Sequence, residues 1–380
     1  MSTSRVSNER GMALAVAIFA LVVIGALVAG TFFAGRLEQS SGQATVYAAQ
    51  AAEAGEAGLS DAISGLTATS LGAMAVGSTT PLGTLSLPAA PQVSATRSVR
   101  RLTNSLFLVE ALGTRSNAAG VSLADRRLGS LVRLVYPNIP VNAGLTALGN
   151  VKLAGGADVT GIDAVPPAWA SAGVSCPPTA DLAGVRYNLG TVTGANQAHG
   201  VPPTVLDASL TAAQMQSDFD KLKSLATLVL TDGNPAATVP QYTGNPVKCD
   251  TSKETNWGEP TVSTDPCFNY FPVIYYHGDL KLQGDRGQGI LLVEGDLTIT
   301  GSFVFYGPVY ITGTLDAAGN NKGGSKFYGG VIAGNVLIDD INKLSGNATI
   351  DYSSCAIKRA LKGSAVPTPL NERGWVQLYN

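Results

Sequence analysis

The stretch RGMALAVAIFALVVIGALVAGTFFAGRLEQ, residues 10–39, decides the fold. Residues 12–35 carry no charged side chain, and a helix of that length rises about 36 Å, enough to span the hydrocarbon core of a bilayer. A cleavable secretory signal has an apolar region of roughly 7 to 15 residues followed by a small-residue cleavage site, which fits this stretch poorly. We therefore predict a transmembrane helix over residues 12–35.

The charges that flank the apolar run predict its orientation. Arg5 and Arg10 precede the run, whereas Arg36 alone follows it closely. Basic residues are enriched on the cytoplasmic side of membrane helices. The sequence therefore predicts a single-pass protein whose amino terminus is cytoplasmic and whose body lies outside the cytoplasm.

Helical spacing continues beyond the apolar run. Small apolar residues recur every three or four positions and share one helix face, beside Glu53, Glu56 and Asp61. They are Ala44, Ala48, Ala52, Gly55, Leu59, Ala62 and Leu66. We expect one long helix over residues 12–66 that leaves the membrane and continues into an Ala-rich rear half.

This N-terminal region resembles that of type IV pilins, in particular the PilX-like minor pilins and the related GspK-type minor pseudopilins of type II secretion. The resemblance rests on a short polar leader ending in Gly11, the apolar run, and the helical stretch YAAQAAEAGEAGL, residues 47–59. It implies that a prepilin peptidase removes a leader of residues 1–11. Met12 would then be the N-methylated first residue, and the apolar run would stay in the product, anchored in the inner membrane with its body in the periplasm.

Two positions depart from the pattern of major pilins. Val16 stands at the fifth mature position, where major pilins carry a glutamate, and Ala13 stands where they usually carry threonine. That glutamate is thought to pair with the amino terminus of a neighbouring subunit. The departure therefore implies a tip or priming subunit, and the alternative is an unprocessed membrane anchor with a helical stalk.

The composition of the 380-residue chain excludes several classes of protein. Hydrophobic residues make up 45% and charged residues 14%, which is enough apolar content for packed cores and excludes disorder of the whole chain. The net charge of −2, with no basic stripe beyond clusters such as Arg97, Arg100 and Arg101, argues against a nucleic-acid partner. Gly 44 and Pro 20 favour many turns and short strands.

The chain between the helix and the head divides into two parts. Residues 67–93 are rich in Gly, Ser, Thr and Pro, which predicts a linker. Residues 94–140 contain two strand patterns separated by a turn at 116–120, which predicts an antiparallel hairpin. Arginines alternate with leucines along these strands and are interpreted as solvated strand faces rather than a polyanion site. They are Arg100, Arg101, Arg126, Arg127 and Arg133.

Residues 141–355 are predicted to form a β-rich head in a chain of the α+β class. Gly278, Gly295, Gly313 and Gly334 lie 17, 18 and 21 residues apart, each beside a short apolar run. Such spacing favours a short β-solenoid, with the GNV stretch at residues 149–151 as an early rung, and the alternative is a sandwich or meander. Alternation places Leu297, Ile299 and Phe303 inside, with Thr298 and Thr300 outside.

A helical insertion interrupts the predicted head near residues 209–228. Thr211 and Gln214 form a capping box, and the apolar residues that follow fall on one face, which predicts a packed helix. These are Met215, Phe219, Leu222 and Leu225. Residues 356–380 are expected to form a C-terminal tail.

The four cysteines predict two disulfides if the body lies outside the cytoplasm. Cys249 and Cys267 are 18 residues apart in a polar loop that a local bond would staple, which leaves Cys176 and Cys355 as partners. This pairing is one of three connectivities, and the sequence does not select among them.

Few residues suggest chemistry. His277, Asp279, Glu294 and Asp296 cluster in sequence, but the aspartates recur at equivalent repeat positions after glycine, which indicates turn hydrogen bonds rather than a catalytic pair. GDRGQG at residues 284–289 lies between strands, without the helix N-terminus of a phosphate loop. Asp339, Asp340 and the TDGN stretch at Thr231 lack the spacing of calcium ligands. We expect no metal, cofactor or catalytic site.

The sequence as a whole favours a non-enzymatic minor pilin or pseudopilin that acts in assembly or at the tip of a type IV pilus or type II secretion pseudopilus. Its expected partners are other pilins, the prepilin peptidase and the inner membrane, with incorporation into a filament at the cell surface. The alternatives are a membrane-anchored β-solenoid enzyme acting on carbohydrate and an unprocessed structural protein of the envelope.

Overall fold

The computed structural model describes residues 10–87, 90–230, 238–318, 324–334, 341–370 and 376–378. They form two compact units. The helix unit consists of the described residues within Met1–Leu66, Met74–Arg133 and Pro369–Asn380, and the head unit of those within Thr67–Ala73 and Leu134–Thr368. Helices and strands are both abundant, so the chain is of the α+β class, as the sequence predicts.

Helix α1 (Arg10–Ser64) begins the helix unit. It contains no proline, is rich in the helix-forming residues Ala and Leu, and ends where Gly65 follows. Leu14–Ser64 is long and apolar enough to cross a membrane by length and composition, and none of its most apolar window is buried in the protein. A core helix of a soluble protein passes the same length test, but it does so with its apolar side chains covered.

Four antiparallel strands follow α1 in the helix unit. They are β1 (Thr79–Ser86), β2 (Val93–Arg101), β3 (Leu106–Ser116) and β4 (Ser122–Val135). Each pairs with the next, as in the registers Val99↔Val109 and Val109↔Ser130. The predicted hairpin of residues 94–140 is thus part of a longer meander.

The segment 67–93, predicted as a linker, includes α2 (Ala68–Gly72) and β1. Its glycine and proline content suggested a loop. Strand β1 lies at the edge of the sheet, where proline is tolerated, and its register with β2 shifts between Pro81 and Gly83. A bulge at an edge accommodates both residues, so the composition did not prevent a strand.

The head unit contains most of the remaining strands, nearly all in parallel pairs. In chain order they are β5 (Ala143–Ala147), β6 (Asn150–Leu153), β7 (Asp158–Thr160), β8 (Ala183–Tyr187), β9 (Val192–Thr193), β10 (Ala198–His199), β11 (Thr204–Leu206), β12 (Leu228–Leu230), β13 (Tyr242–Thr243), β14 (Lys248–Cys249), β15 (Val273–His277), β16 (Leu280–Leu282), β17 (Arg286–Gln288), β18 (Ile290–Glu294), β19 (Leu297–Thr300), β20 (Val304–Ile311), β21 (Leu315–Ala318), β22 (Lys326–Ala333), β23 (Ile341–Ser345), β24 (Thr349–Tyr352) and β25 (Val366–Pro369). The pair β13 and β14 is antiparallel.

The parallel strands build two sheets that the chain visits in turn. Strands β15, β18, β20 and β22 are neighbours in the larger sheet, while β16, β19, β21 and β23 are neighbours in the smaller one. One strand from each sheet makes one coil of the chain, and coils stack in register. Leu280 lies beside Leu297, Leu297 beside Leu315, and Phe305 beside Phe327. Partners are therefore 17, 18 and 22 residues apart, close to the predicted glycine spacing.

The coil of β5 and β6 stacks on the last coil of this series rather than on the first. Val331 of β22 lies beside Leu145 of β5, and Ile341 of β23 beside Asn150 of β6. The GNV stretch thus belongs to a coil of the same stack. The order of coils in space differs from their order in the chain.

Two layers of apolar side chains hold the head unit together. Inside the coils, Leu291, Val309, Val331 and Leu145 form a row across four strands, and all are fully buried. Leu297, Ile299 and Phe303 are fully buried as predicted, whereas Thr300 is exposed and Thr298 half-buried. Large apolar side chains therefore fill the space between the sheets.

Three helices cover the other face of the larger sheet. They are α3 (Pro167–Ser171), α4 (Ala212–Lys223) and α5 (Ser354–Gly363). The Thr211 hydroxyl caps α4 by accepting from the Gln214 amide at 3.3 Å, and Met215, Phe219 and Leu222 are buried, while Leu225 beyond the helix is half-buried. These buried side chains pack in one cluster with Tyr310 of β20.

The predicted tail, residues 356–380, is also structured. Most of α5 lies within it, capped by the Ser353 hydroxyl, which accepts from the Ala356 amide at 3.2 Å. Further on, β26 (Val376–Leu378) pairs antiparallel with β4 in the helix unit. The apolar face of α5, with Ile357 and Ala360 buried, supplies the packing that a tail would lack.

Candidate assembly site on the N-terminal helix

The front half of α1 carries an uninterrupted surface of exposed apolar side chains. Phe19 is 70% exposed, Leu21 70% and Phe32 72%. Exposing a side chain of this size to water costs about 2 kcal/mol relative to burial. A surface of this kind needs lipid or other protein to cover it.

The residues expected to govern processing lie at the N-terminal end of α1. Gly11 and Met12 fall in the first turns of α1. Val16 is 65% exposed and belongs to the apolar surface. Because Val16 is uncharged, the front half of α1 contains no acidic side chain between residues 14 and 37.

The rear half of α1 packs on the antiparallel sheet through very small residues. Ala51 and Ala54 are fully buried. A methyl group added to Gly113 of β3 would lie 2.0 Å from the Ala51 carbonyl oxygen, and one added to Gly58 would lie 2.6 Å from the Ala95 Cβ atom. Helix and strand backbones therefore touch at a distance that no larger residue permits.

Polar contacts at the edges of this seam fix the helix on the sheet. Arg115 of β3 donates from Nε to the Gln50 side-chain oxygen at 2.8 Å, and its guanidinium lies 5.6 Å from the centre of the Tyr47 ring. Arg97 of β2 forms an ion pair with Asp61. The rear half of α1 is thus clamped at both ends of its contact.

The strand arginines do not form one basic surface. Arg100 and Arg133 are exposed, while Arg101, Arg126 and Arg127 are half-buried. Arg101 donates to backbone carbonyls at Met74, Thr103 and Asn104, so its charge caps a turn.

The structure joins Cys176 to Cys355 and Cys249 to Cys267. The longer bond ties a loop after α3 to the first turn of α5. The shorter one closes the polar loop, whose Asn256 is fully buried and donates to the carbonyls of Gln241 at 3.2 Å and Asp250 at 2.8 Å. Both bonds lie in the head unit.

The GDRGQG stretch holds that polar loop in place. It contains strand β17, which pairs with β20. Gln288 is fully buried and donates from Nε2 to the carbonyls of Cys267, Phe268 and Tyr270 at 3.1, 2.9 and 2.8 Å. Arg286 donates from Nε to buried Glu259 at 2.7 Å. The stretch therefore connects coils and also anchors a loop, and of these two roles only the anchoring was not apparent from its residue pattern.

The two aspartates of the sequence cluster bond from coil to coil. Asp279 Oδ1 accepts from the Asp296 amide at 2.9 Å, and Asp296 Oδ1 accepts from the Thr314 amide at 2.7 Å. Each carboxylate thus satisfies the backbone of the next coil. This agrees with hydrogen bonding at repeat-equivalent turns.

Glu294 is the centre of a separate polar group beneath α4. The Tyr275 hydroxyl donates to its carboxylate, Lys223 contacts it at 2.9 Å, and His277 Nδ1 lies 2.9 Å away. These contacts, led by that of Tyr275, lower the pKa of Glu294 to about 2. The carboxylate is therefore ionised at neutral pH and holds no proton to donate, and its contacts tie α4 to β18.

The remaining candidates from the sequence concern metal binding. No group of three or more His, Cys, Asp or Glu residues is placed to hold a metal ion there. Asp339, Asp340 and the TDGN stretch at Thr231 lie outside the described residues.

Comparison with known proteins adds little to these observations. No protein-family model matches the chain, and no curated protein matches it in sequence. Among solved structures, the competence-associated pilin ComZ from Thermus thermophilus matches with a TM-score of 0.27 and 13% identity, covering 87% of this chain and 98% of that one. A TM-score this low carries no argument, so function must be argued from the geometry of α1.

Proposed function

We propose that the chain is a pilin-like subunit, of the minor pilin or pseudopilin kind, that takes part in assembly or tip function of a filament. One observation carries the proposal: a single unbroken helix combines a fully exposed apolar front half with a rear half packed on an antiparallel sheet. The helix would rest in the inner membrane before assembly and pack among helices of other pilins afterwards. The head would lie in the periplasm or, after assembly, at the cell surface.

The surface of the front half suits helix packing. A methyl group added to Gly25, Gly30 or Gly35 would meet nothing within 4 Å. Small residues on membrane helices let neighbouring backbones approach closely. These open glycines would therefore be the points at which other subunits contact α1.

The missing acidic residue at Val16 supports a position at the tip. In the major pilins that the N-terminal region resembles, a glutamate at this place pairs with the amino terminus of a neighbouring subunit. A subunit without this glutamate lacks that contact to a neighbouring subunit. It would therefore prime or cap the filament. We also propose that the stacked coils of the head form a short β-solenoid, which would present a rigid surface at that tip.

The test is the intact mass of the full chain purified from membranes of cells with and without prepilin peptidase. We expect residues 1–11 to be absent and one methyl group to be present on Met12 only when the peptidase is present. Gly11→Val should leave the leader attached. Gly25→Val, the same change inside the apolar run, should leave processing intact.

Retention of residues 1–11 in both cells would overturn the pilin proposal. An unprocessed envelope anchor would then be the better interpretation. The enzyme alternative gains no support from the carboxylates, since Asp279 and Asp296 accept from backbone amides and Glu294 is held by contacts to side chains of the head unit itself.

A further inference from the structure

A cleft of about 340 Å³ lies beside α5 in the head unit. Helix α2 contributes Ala68 and Gly72 to its wall, the loop before β15 contributes Asn269 and Phe271, and α5 contributes Arg359 and Lys362. Its volume is that of a small-molecule site. Nothing in the assembly role proposed above uses it.

Arg359 is held rigidly at the cleft by aromatic rings. Its guanidinium carbon lies 4.6 Å from the centre of the Trp169 ring, 4.8 Å from that of Phe268 and 5.3 Å from that of Phe271. Nη2 donates to the Asn269 side-chain oxygen at 3.2 Å, and buried Nε has no partner among the described atoms. Three rings and one amide thus fix the direction in which this cation points.

Lys362 brings a second positive charge to the same cleft. It lies three residues after Arg359, on the same side of α5, and it is exposed. The close approach of this end of α5 depends on Gly363, since a methyl group there would lie 2.5 Å from the Phe271 ring. The glycine therefore keeps both cations beside the cleft wall.

These two charges face the cleft without an acidic partner. Neither Arg359 nor Lys362 belongs to any ion pair found among the described residues. Among the described residues, no aspartate or glutamate lines the cleft. Burial lowers the pKa of Arg359, yet a guanidinium remains charged in proteins. The described lining of the cleft thus contains two cationic side chains and no carboxylate.

We propose that this cleft binds the oxyanion of a small ligand, a carboxylate or a phosphate, between Arg359 and Lys362. A guanidinium and an ammonium on one side suit either oxyanion, because charge-assisted hydrogen bonds to such groups are strong. The Asn269 side chain beside them offers a polar contact for the rest of the ligand. The inference goes beyond the assembly function and does not depend on it.

Isothermal titration calorimetry on the full chain in a nonionic detergent at low salt tests the site. The probes are glucuronate, glucose 6-phosphate and uncharged glucose, which share one ring and differ in charge. We expect heat of binding from at least one anion and none from glucose. The stronger of the two anions identifies carboxylate or phosphate as the preferred group. Binding of glucose as tight as that of both anions, or binding of none, would overturn the proposal.

Lys362→Gln should weaken binding of the preferred anion about tenfold, which is the loss of one charged hydrogen bond. Lys358→Gln is the matched control, because Lys358 is exposed on the same helix but does not line the cleft. An equal effect of both changes would show general attraction to a basic helix and would reject the site. Both substituted lysines are exposed, so neither change disturbs the aromatic packing of Arg359.

Discussion

The two units bury apolar surface in opposite ways. In the helix unit, α1 meets β2 and β3 through alanine and glycine, with backbones in direct contact at Gly113 and the Gly58 backbone against the Ala95 methyl group. In the head unit, rings and branched side chains such as Phe303 and Phe305 fill the space between two sheets. The stability of the helix unit depends on the close approach of backbones, and the stability of the head unit depends on the volume of its buried side chains. Substitutions should therefore destabilise the helix unit when they add atoms between helix and sheet, and the head unit when they remove buried atoms.

The largest effect is expected from removing volume in the head. Phe303 is fully buried, stacks on Phe305 at 6.1 Å and meets the edges of Trp257 and Phe327. Phe303→Ala should lower the free energy of unfolding of the head by about 4 kcal/mol, because a cavity remains. Hydrogen exchange of the full chain, read by mass spectrometry over β20, measures it.

The same exchange experiment carries its own control. Amides of β3 in the helix unit should exchange at the wild-type rate in the Phe303→Ala variant. Equal loss of protection in β3 would show that the two units unfold together, and the comparison drawn above would lose its basis.

Adding one methyl group should be nearly as harmful in the helix unit. Gly113→Ala places a carbon against the Ala51 carbonyl oxygen and the Gly55 amide nitrogen, and neither can rotate away. We expect the free energy of unfolding measured at β3 to fall by about 3 kcal/mol, because the added carbon forces helix and sheet apart. Exchange rates of β3 amides measure it.

Gly42→Ala is the matched control for that change. It adds the same methyl group to α1 at a place where nothing lies within 4 Å. The result expected is a gain of up to about 1 kcal/mol in helix stability, because alanine favours helix more than glycine does. A loss at Gly42 similar to that at Gly113 would contradict the close-contact account.

The smallest effect concerns charge rather than volume. The pKa of Glu294 is lowered to about 2 in the folded protein, whereas a glutamate in the unfolded chain has a pKa of about 4.3. The ionised carboxylate therefore contributes its full stabilisation above the unfolded pKa, and this stabilisation is lost as the pH falls toward 2. Glu294→Gln should therefore flatten acid destabilisation of α4 between these values. Thermal unfolding of both proteins across this range, with exposed Glu254→Gln as control, measures it. Parallel curves for wild type and Glu294→Gln would contradict the assignment.

Local patterns of the sequence predicted much of the fold. The apolar run and alanine spacing predicted a helix over residues 12–66, and α1 covers Arg10–Ser64. Alternation correctly placed Leu297 and Phe303 inside. These features depend on neighbours within one turn or one strand, which a single sequence contains.

Features that depend on distant partners were not predictable. Strand β1 exists because an edge tolerates Pro81, and α5 because its apolar face meets the sheet. The cationic cleft needs Trp169, Phe271 and Arg359 in one place, although they are far apart in the chain. The signal available was limited to two basic residues three apart on an amphipathic helix, which is a common surface pattern.

The stacking of an early coil on a late one determines when the head can be completed. The side-chain Nδ2 of Asn342 donates to the Asn150 carbonyl at 3.4 Å across 192 residues, and Cys355 bonds to Cys176 across 179. Until residues beyond 341 have been synthesised, one edge of β6 stays open, because its partner β23 begins at Ile341, and an open parallel edge can pair with other chains. The final residues therefore complete the strand pairing of the head. Truncation before Ile341 should yield an aggregation-prone chain rather than a shorter head.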